Sequence, residues 1–207
     1  MRAPKSVAAL EKLGRVRLSP SLFMRDFLFS EIATHYGLAN IPDDPDLAIA
    51  AGTALCENLL EPLQACFGRL SIRSAYRSPA VNHQGNIAGH NCALNEKNYA
   101  GHIWDRRDEQ GNMGATACIV VNSFIPYYER TGDWQAMAWW VHDHLPYDDI
   151  EFFPIYAAFN LQWRQNPRRT IYSYANPRGW LTKPGMDNHS GDHSDLYAAW
   201  LLEAPQK

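Results

Sequence analysis

The sequence lacks any apolar run long enough to cross a membrane, and it lacks an apolar segment of signal-peptide length near its first residue. Charged residues interrupt the opening stretch MRAPKSVAALEKLGRVRLSPS. A membrane-spanning helix needs about 20 consecutive apolar residues, and a secretory signal needs a shorter but uninterrupted one. We therefore expect a cytoplasmic protein that has no membrane partner.

The sequence also lacks an excess of basic charge. It has 19 Lys and Arg residues against 22 Asp and Glu residues, a formal net charge of −3. Domains that bind nucleic acid usually carry a net positive face. The composition therefore predicts no nucleic-acid partner.

Paired cysteine motifs are absent as well. The four cysteines are Cys56, Cys66, Cys92 and Cys118, and none stands in a Cys-x-x-Cys pair. In a cytoplasmic chain such cysteines are expected to be free thiols and not a disulfide framework. Cys56 and Cys66 lie in an apolar stretch, where we predict that they pack in the core.

What is present is an ordinary globular composition. The 207 residues are 46% hydrophobic and 20% charged, which suits one domain with its own core. We divide the chain into a lead-in at 1–18, a domain at 19–175 that includes a long loop at 79–113, and a C-terminal extension at 176–207 that packs on the domain.

Periodicity predicts helices first and strands afterwards, the order typical of an α+β fold. One helix follows Ser19 and ends at Gly37, and a second covers 46–67, where Pro62 should bend or break it. The other predicted elements are strands at 69–74, 117–121, 150–153, 157–163 and 170–174 and helices at 134–142 and 195–202.

Three motifs follow one another along the chain: SAYRSPAVN at 74–82, GH at 101–102 and GATACIVV at 114–121. Together with a helix that ends in LLEPL, they resemble the zinc D-alanyl-D-alanine carboxypeptidase family. The resemblance implies the small α+β fold shared with hedgehog signalling domains, with N-terminal helices packed on an antiparallel sheet. It also implies a peptide-like substrate with a free carboxylate.

The resemblance assigns site positions, and several carry unexpected residues. His102 matches the zinc-binding histidine, while Gly114, Thr116 and Cys118 match the Gly, Ala and Asp positions of the family motif. A rival alignment gives the aspartate position to Glu109, but Asp105 and Arg107 would then fall on small-residue positions. In the second half, LPYDDI at 145–150 matches a family strand, the general-base position falls near Phe153, and the third ligand falls near Asn160.

Two kinds of chemistry follow from these positions. Catalytic zinc needs three protein ligands, so His102 and Cys118 would need a third, for which the candidates are His90, His142, His144 and Asp105. Alternatively, Cys118, His102 and Asn160 would act as nucleophile, base and base-orienting amide. In that case the imidazole should lower the pKa of Cys118.

Four residues are predicted to contact substrate: Arg77, Tyr76, Trp104 and Asp105. Arg77 would hold a carboxylate or an oxyanion, Trp104 would line the pocket, and Asp105 would orient His102. Arg77 could instead be purely structural and bond loop carbonyls. The same alternative holds for Cys118 as a small buried strand residue and for His102 as a loop histidine bonded to the backbone.

Three functions remain open at this point. The first is a thiol-based amide or peptide hydrolase, or an acyl transferase, acting on a small carboxylate-bearing substrate. The second is a zinc peptidase with rearranged ligands, and the third is a non-catalytic module that binds a peptide-like ligand. The first and third functions need no cofactor. The second requires zinc.

Further histidines lie outside these motifs. His142 and His144 are predicted to end a helix, where the helix dipole favours their charge. His189 and His193 have a metal-like spacing, but Ser190 and Gly191 between them indicate a hydrogen-bonded tail that could fold over the cleft.

Overall fold

A six-stranded sheet organises residues 1–204, the part of the chain that the computed structural model describes. Its strands are β1 (Leu70–Ser74), β2 (Gly114–Val121), β3 (Asp149–Phe152), β4 (Phe159–Arg164), β5 (Thr170–Ser173) and β6 (Gly179–Thr182). They lie in the order β1-β2-β4-β3-β5-β6. The α+β class predicted from the sequence is confirmed.

The sheet is mixed, which corrects the expectation of an antiparallel sheet. β3 and β5 pair in parallel, whereas every other neighbouring pair is antiparallel. β2 occupies one edge of β4, so β5 can join only at the free edge of β3. Because β5 reverses direction after β4, and β4 is antiparallel to β3, β5 must run parallel to β3.

Helices cover one face of this sheet. Their bounds are α1 Val7–Gly14, α2 Glu31–Tyr36, α3 Pro45–Leu55, α4 Glu61–Phe67, α5 Pro79–Ile87, α6 Asn95–Asn98, α7 Ile125–Thr131, α8 Gln135–His144 and α9 Ala198–Glu203. The helical face of the sheet is apolar and buried, and it includes Ala117, Ile119, Ile150, Phe152, Phe159 and Leu161. Strand residues alternate between faces, so the polar residues between them point to the other face.

The first predicted helix is split. Met24–Phe27 forms a 3₁₀ turn, and α2 begins only at Glu31, where the Ser30 hydroxyl accepts a hydrogen bond from the backbone N–H of Ala33. Apolar residues do recur at helical spacing across this segment, but the Ser30 cap starts a new helix. The predicted end is confirmed, because Gly37 adopts the left-handed conformation at φ 64°.

The second predicted helix is nearly continuous. A π-helical turn at Cys56–Leu60 joins α3 to α4, and the N–H of Glu61 donates to the carbonyl of Cys56. Pro62 has no N–H to offer and crowds the preceding turn. The wider turn therefore accommodates Pro62, which distorts the helix without breaking it.

The stretch at 79–113 is not the loop that the sequence predicted. Pro79 begins α5 at a position where its missing N–H costs nothing, and Ser78 caps this helix at the N–H of Val81. Its Asn, Gln, His and Gly residues look loop-like, yet the cap and Pro79 were readable helix signals. Two further helices, α1 and α7, were also missed.

Residues 176–204 lie against the rest of the fold. β6 pairs with β5, and Trp200 on α9 packs on Phe67 and Phe124 with ring centroids 4.3 and 4.9 Å away. Within residues 1–204, no helix has both the length and the apolar character that crossing a membrane requires.

Candidate functional site

One row of paired positions crosses the face of the sheet opposite the helical core. Ser74 pairs with Cys118, Cys118 with Asn160, Asn160 with Glu151, and Glu151 with Tyr172. Directly paired residues share a face. Strand pairing alone therefore places a hydroxyl, a thiol, an amide, a carboxylate and a phenol side by side.

The segment that carries His102 lies along this row. The N–H of Thr116 on β2 donates to the carbonyl of Gly101 at 3.0 Å, and the side-chain amide of Gln162 on β4 donates to the carbonyl of Ala100 at 2.8 Å. Gly114 permits this approach, because a Cβ there would lie 2.3 Å from the carbonyl oxygen of Ala100.

Four of the predicted site residues line one cleft of about 800 Å³: Arg77, His102, Cys118 and Asn160. Arg77 follows β1, and its backbone N–H donates to the carbonyl of His102 at 2.8 Å. The convergence that the sequence predicted for these residues is therefore present in the structure.

His102 is held as a neutral imidazole. Its Nδ1 lies 2.7 Å from the carbonyl oxygen of Ala75, so Nδ1 donates the proton and Nε2 keeps a free lone pair. Burial, and then the charge of Arg77, lowers its pKa to about 3, against a weaker opposite effect from the nearby Asn160 side chain. Nε2 is buried and has no hydrogen-bond partner within residues 1–204.

Cys118 is also neutral, which corrects the expectation of a lowered thiol pKa. Burial raises the pKa of Cys118 to about 11, and the positive charges of Arg73 and Arg77 only partly offset it. His102 cannot stabilise a thiolate as a cation because it does not itself carry a charge. The pair is therefore not poised as thiolate and imidazolium.

Arg77 brings a half-buried guanidinium to the cleft. Its Nη1 donates to the Oδ1 of Asn82 at 3.3 Å and to the Sγ of Cys92 at 3.1 Å. Burial lowers the pKa of Arg77, and no carboxylate among residues 1–204 forms an ion pair with it. A partly desolvated cation without a counter-ion carries part of the cost of a buried charge, so the site favours an incoming anion.

Glu151 is a cleft residue that the sequence interpretation missed. Its Oε2 accepts a hydrogen bond from the Nδ2 of Asn160 at 3.0 Å. The alternation Asp149-Ile150-Glu151-Phe152 was sufficient to place it on the face of Asn160. Phe153, assigned to the general-base position, lines the same cleft.

Three residues predicted to contact substrate lie in the interior instead. Tyr76 and Trp104 are fully buried and pack against each other. Asp105 does not orient His102, because its Oδ2 accepts from the backbone N–H of Asp43 at 2.7 Å. Trp104 and Asp105 do not line the cleft.

The family positions do not gather three zinc ligands among the described residues. No group of three or more His, Cys, Asp and Glu side chains among the described residues lies close enough together to hold a metal. At the third ligand position, the amide of Asn160 donates to Glu151. Of the proposed third ligands, His90 lines the cleft, whereas His142 and His144 line a separate pocket.

His142, His189 and His193 hold the C-terminal extension against the domain. The Nδ1 of His193 lies 2.7 Å from the Oδ1 of Asp143, and its ring stacks on Trp139 at 4.2 Å. The Nε2 of His142 lies 2.9 Å from the carbonyl oxygen of His189. These contacts agree with the hydrogen-bonded tail that the sequence indicated.

The state of His102 gives a pH prediction. The unfolded chain takes up a proton near the ordinary pKa of 6.5, whereas folded His102 does so only near 3. The contribution of His102 to the free energy of unfolding is therefore complete above pH 6.5 and is lost as the pH falls towards 3. The loss is about 2 kcal/mol between pH 7 and pH 5. His102→Gln should reduce this fall by that amount in denaturant titrations.

A matched control separates this effect from other groups. Burial raises the pKa of Asp149 to about 6, so Asp149 acts in the opposite sense in the same window. Wild type and His102→Gln both retain Asp149, so its effect cancels when their pH dependences are compared. The exposed His83, changed to Gln, should leave the pH dependence unchanged. Equal pH dependence in His102→Gln and wild type would contradict the assignment.

Comparison with known protein families, curated proteins and solved structures finds no match for this chain.

Proposed function

We propose that this chain is a divergent relative of the zinc D-alanyl-D-alanine carboxypeptidases, with their hedgehog-like fold, whose cleft binds a small peptide-like ligand by its carboxylate. The observation that carries the proposal is the half-buried guanidinium of Arg77, which reaches the cleft without a carboxylate partner among residues 1–204. A carboxylate matches the geometry of a guanidinium and can accept two hydrogen bonds from it.

The surroundings of Arg77 favour binding over zinc hydrolysis. The family positions for the third ligand and the base carry an amide and a phenyl ring, at Asn160 and Phe153. His102 and Cys118 alone offer two ligands of the three that catalytic zinc needs.

The test compares carboxylates with matched amides. The probes are N-acetyl-D-alanyl-D-alanine, N-acetyl-L-alanyl-L-alanine and the C-terminal amide of each, titrated by isothermal calorimetry. We expect one or both carboxylates to bind, and each amide to bind about 10- to 100-fold more weakly because it loses the charge-assisted hydrogen bonds. Failure of both carboxylates to bind at millimolar concentration would refute the proposal.

Thiol chemistry is the second candidate, favoured by the convergence of Cys118, His102 and Asn160 on one cleft. It requires a reactive thiolate, which the raised pKa of Cys118 disfavours. Under the binding proposal, iodoacetamide at pH 7.5 should modify Cys118 at least about tenfold more slowly than the exposed Cys66. Mass mapping of the modified peptides measures both rates at once. Faster modification of Cys118 would favour the hydrolase or acyl transferase.

A further inference from the structure

The end of the cleft away from Arg77 carries a second cation. Arg178 lines the cleft together with Phe153 and Tyr174. The rings of Phe153 and Tyr174 are stacked, with centroids 5.7 Å apart and planes 2° apart. The guanidinium of Arg178 lies over the Tyr174 ring, 5.4 Å from its centroid.

Arg178 is exposed and forms no ion pair with a carboxylate of the described residues. Its contact with Tyr174 holds the side chain against the aromatic stack. The cleft therefore has a guanidinium at each end. Glu151 lies between them, with one carboxylate oxygen occupied by Asn160. The order of charge along the floor is positive, negative, positive.

Strand spacing gives the length of a ligand that would reach both cations. Cys118 on β2 lies within reach of the charge of Arg77, and Tyr172 on β5 contacts the Tyr174 ring that Arg178 covers. The row from Cys118 to Tyr172 crosses three strand intervals, or about 14 Å at the usual spacing. An extended peptide rises about 3.3 Å per residue, so about four residues separate a group at Arg77 from one at Arg178.

We propose that the cleft binds the last five residues of an extended acidic peptide, with its terminal carboxylate at Arg77 and an acidic side chain four residues earlier at Arg178. This inference rests on the proposed function, because Arg77 must bind the terminal carboxylate. The negative charge of Glu151 disfavours a second acid in the middle of the peptide, and the Phe153–Tyr174 stack packs against the residue that carries the distal acid.

The experiment uses three probes that end in a free carboxylate. They are acetyl-Asp-Ala-Ala-Ala-Ala, the same peptide with Asn in place of Asp, and N-acetyl-L-alanyl-L-alanine. The proteins are wild type, Arg178→Gln and Lys183→Gln. Lys183 is the matched control, because it lies over the ring of Trp180 in the same way but outside the cleft.

We expect wild type to bind the Asp peptide about 5- to 20-fold more tightly than the Asn peptide, as a charged contact at a half-exposed site allows. Arg178→Gln should remove this preference and leave binding of the dipeptide unchanged. Lys183→Gln should leave all three affinities unchanged.

Each of the following results would overturn the inference, and they are distinguishable. If the dipeptide binds but Asp and Asn peptides bind equally, or if Lys183→Gln matches Arg178→Gln, the distal acid site is wrong while the proposed function stands. If no carboxylate probe binds wild type, both fail together. Maltohexaose and hexathymidylate test for a different ligand class. If either one binds in a manner that depends on Arg178, and the Asp peptide does not bind, the cleft belongs to that other class.

Discussion

Arg77→Met is expected to raise the free energy of unfolding by about 1–2 kcal/mol while it abolishes carboxylate binding. Methionine retains most of the volume and removes a charge whose burial no carboxylate of residues 1–204 compensates. The contacts that are lost are weak, at 3.1 Å to a thiol and 3.3 Å to an amide oxygen. That oxygen, on Asn82, still accepts from Asn98 at 2.8 Å.

A gain in stability together with a loss of binding in Arg77→Met would identify Arg77 as a binding residue and not a structural one. Chemical denaturation measures the first quantity and calorimetric titration the second. Arg73→Met on β1, four residues earlier, is the control, because Arg73 is exposed and its loss should change the stability by less than about 0.5 kcal/mol. A clear loss of stability in Arg77→Met would mean that the guanidinium holds the fold together and has no need of a ligand.

Asp148→Ala is expected to destabilise the protein by about 3 kcal/mol. Asp148 is fully buried, and its carboxylate accepts from the backbone N–H of Arg168 at 2.7 Å and from its Nη2 at 2.8 Å. The Nε of Arg164 lies 3.3 Å from the same carboxylate. Removing a buried carboxylate leaves these cations and donors without their partner.

Asp148 also lies where strands that form the cleft meet. The backbone of Asp148 joins three strands, because its N–H donates to Gln162 on β4 and its carbonyl accepts from Thr170 on β5. Gln162 in turn holds the carbonyl of Ala100 beside His102. Denaturant titration measures the stability. Glu203→Ala, which breaks an exposed ion pair with Arg130, is the control and should cost less than about 0.5 kcal/mol. Equal effects of the two substitutions would contradict the role assigned to Asp148.

The sequence predicted the strands well because their signals are local. Alternation and apolar runs place β1, β3, β4 and β5 within a residue or two of their observed bounds, and pairing then brings Cys118 opposite Asn160. The helices at the start of the chain were less accessible, since a cap at Ser30 and a π turn before Pro62 interrupt patterns that periodicity alone treats as continuous.

The site was predictable in part of its membership and not in its electrostatics. Arg77, His102, Cys118 and Asn160 do share a cleft, but burial sets the charge of each, and burial depends on the whole fold. The sequence could not show that His102 bonds the carbonyl of Ala75, or that Asp105 instead accepts a hydrogen bond from the backbone N–H of Asp43. Trp104 was assigned to the pocket because it is near His102 in sequence, but it packs in the core.

The most direct test of carboxylate recognition by Arg77 is a calorimetric cycle of two proteins and two ligands. Wild type and Arg77→Met are each titrated with the more tightly binding of the two N-acetyl dipeptides and with its C-terminal amide. We expect a preference for the carboxylate of about 10- to 100-fold in wild type and none in Arg77→Met. If the preference for the carboxylate is the same in both proteins, then Arg77 does not recognise the carboxylate and the account is wrong.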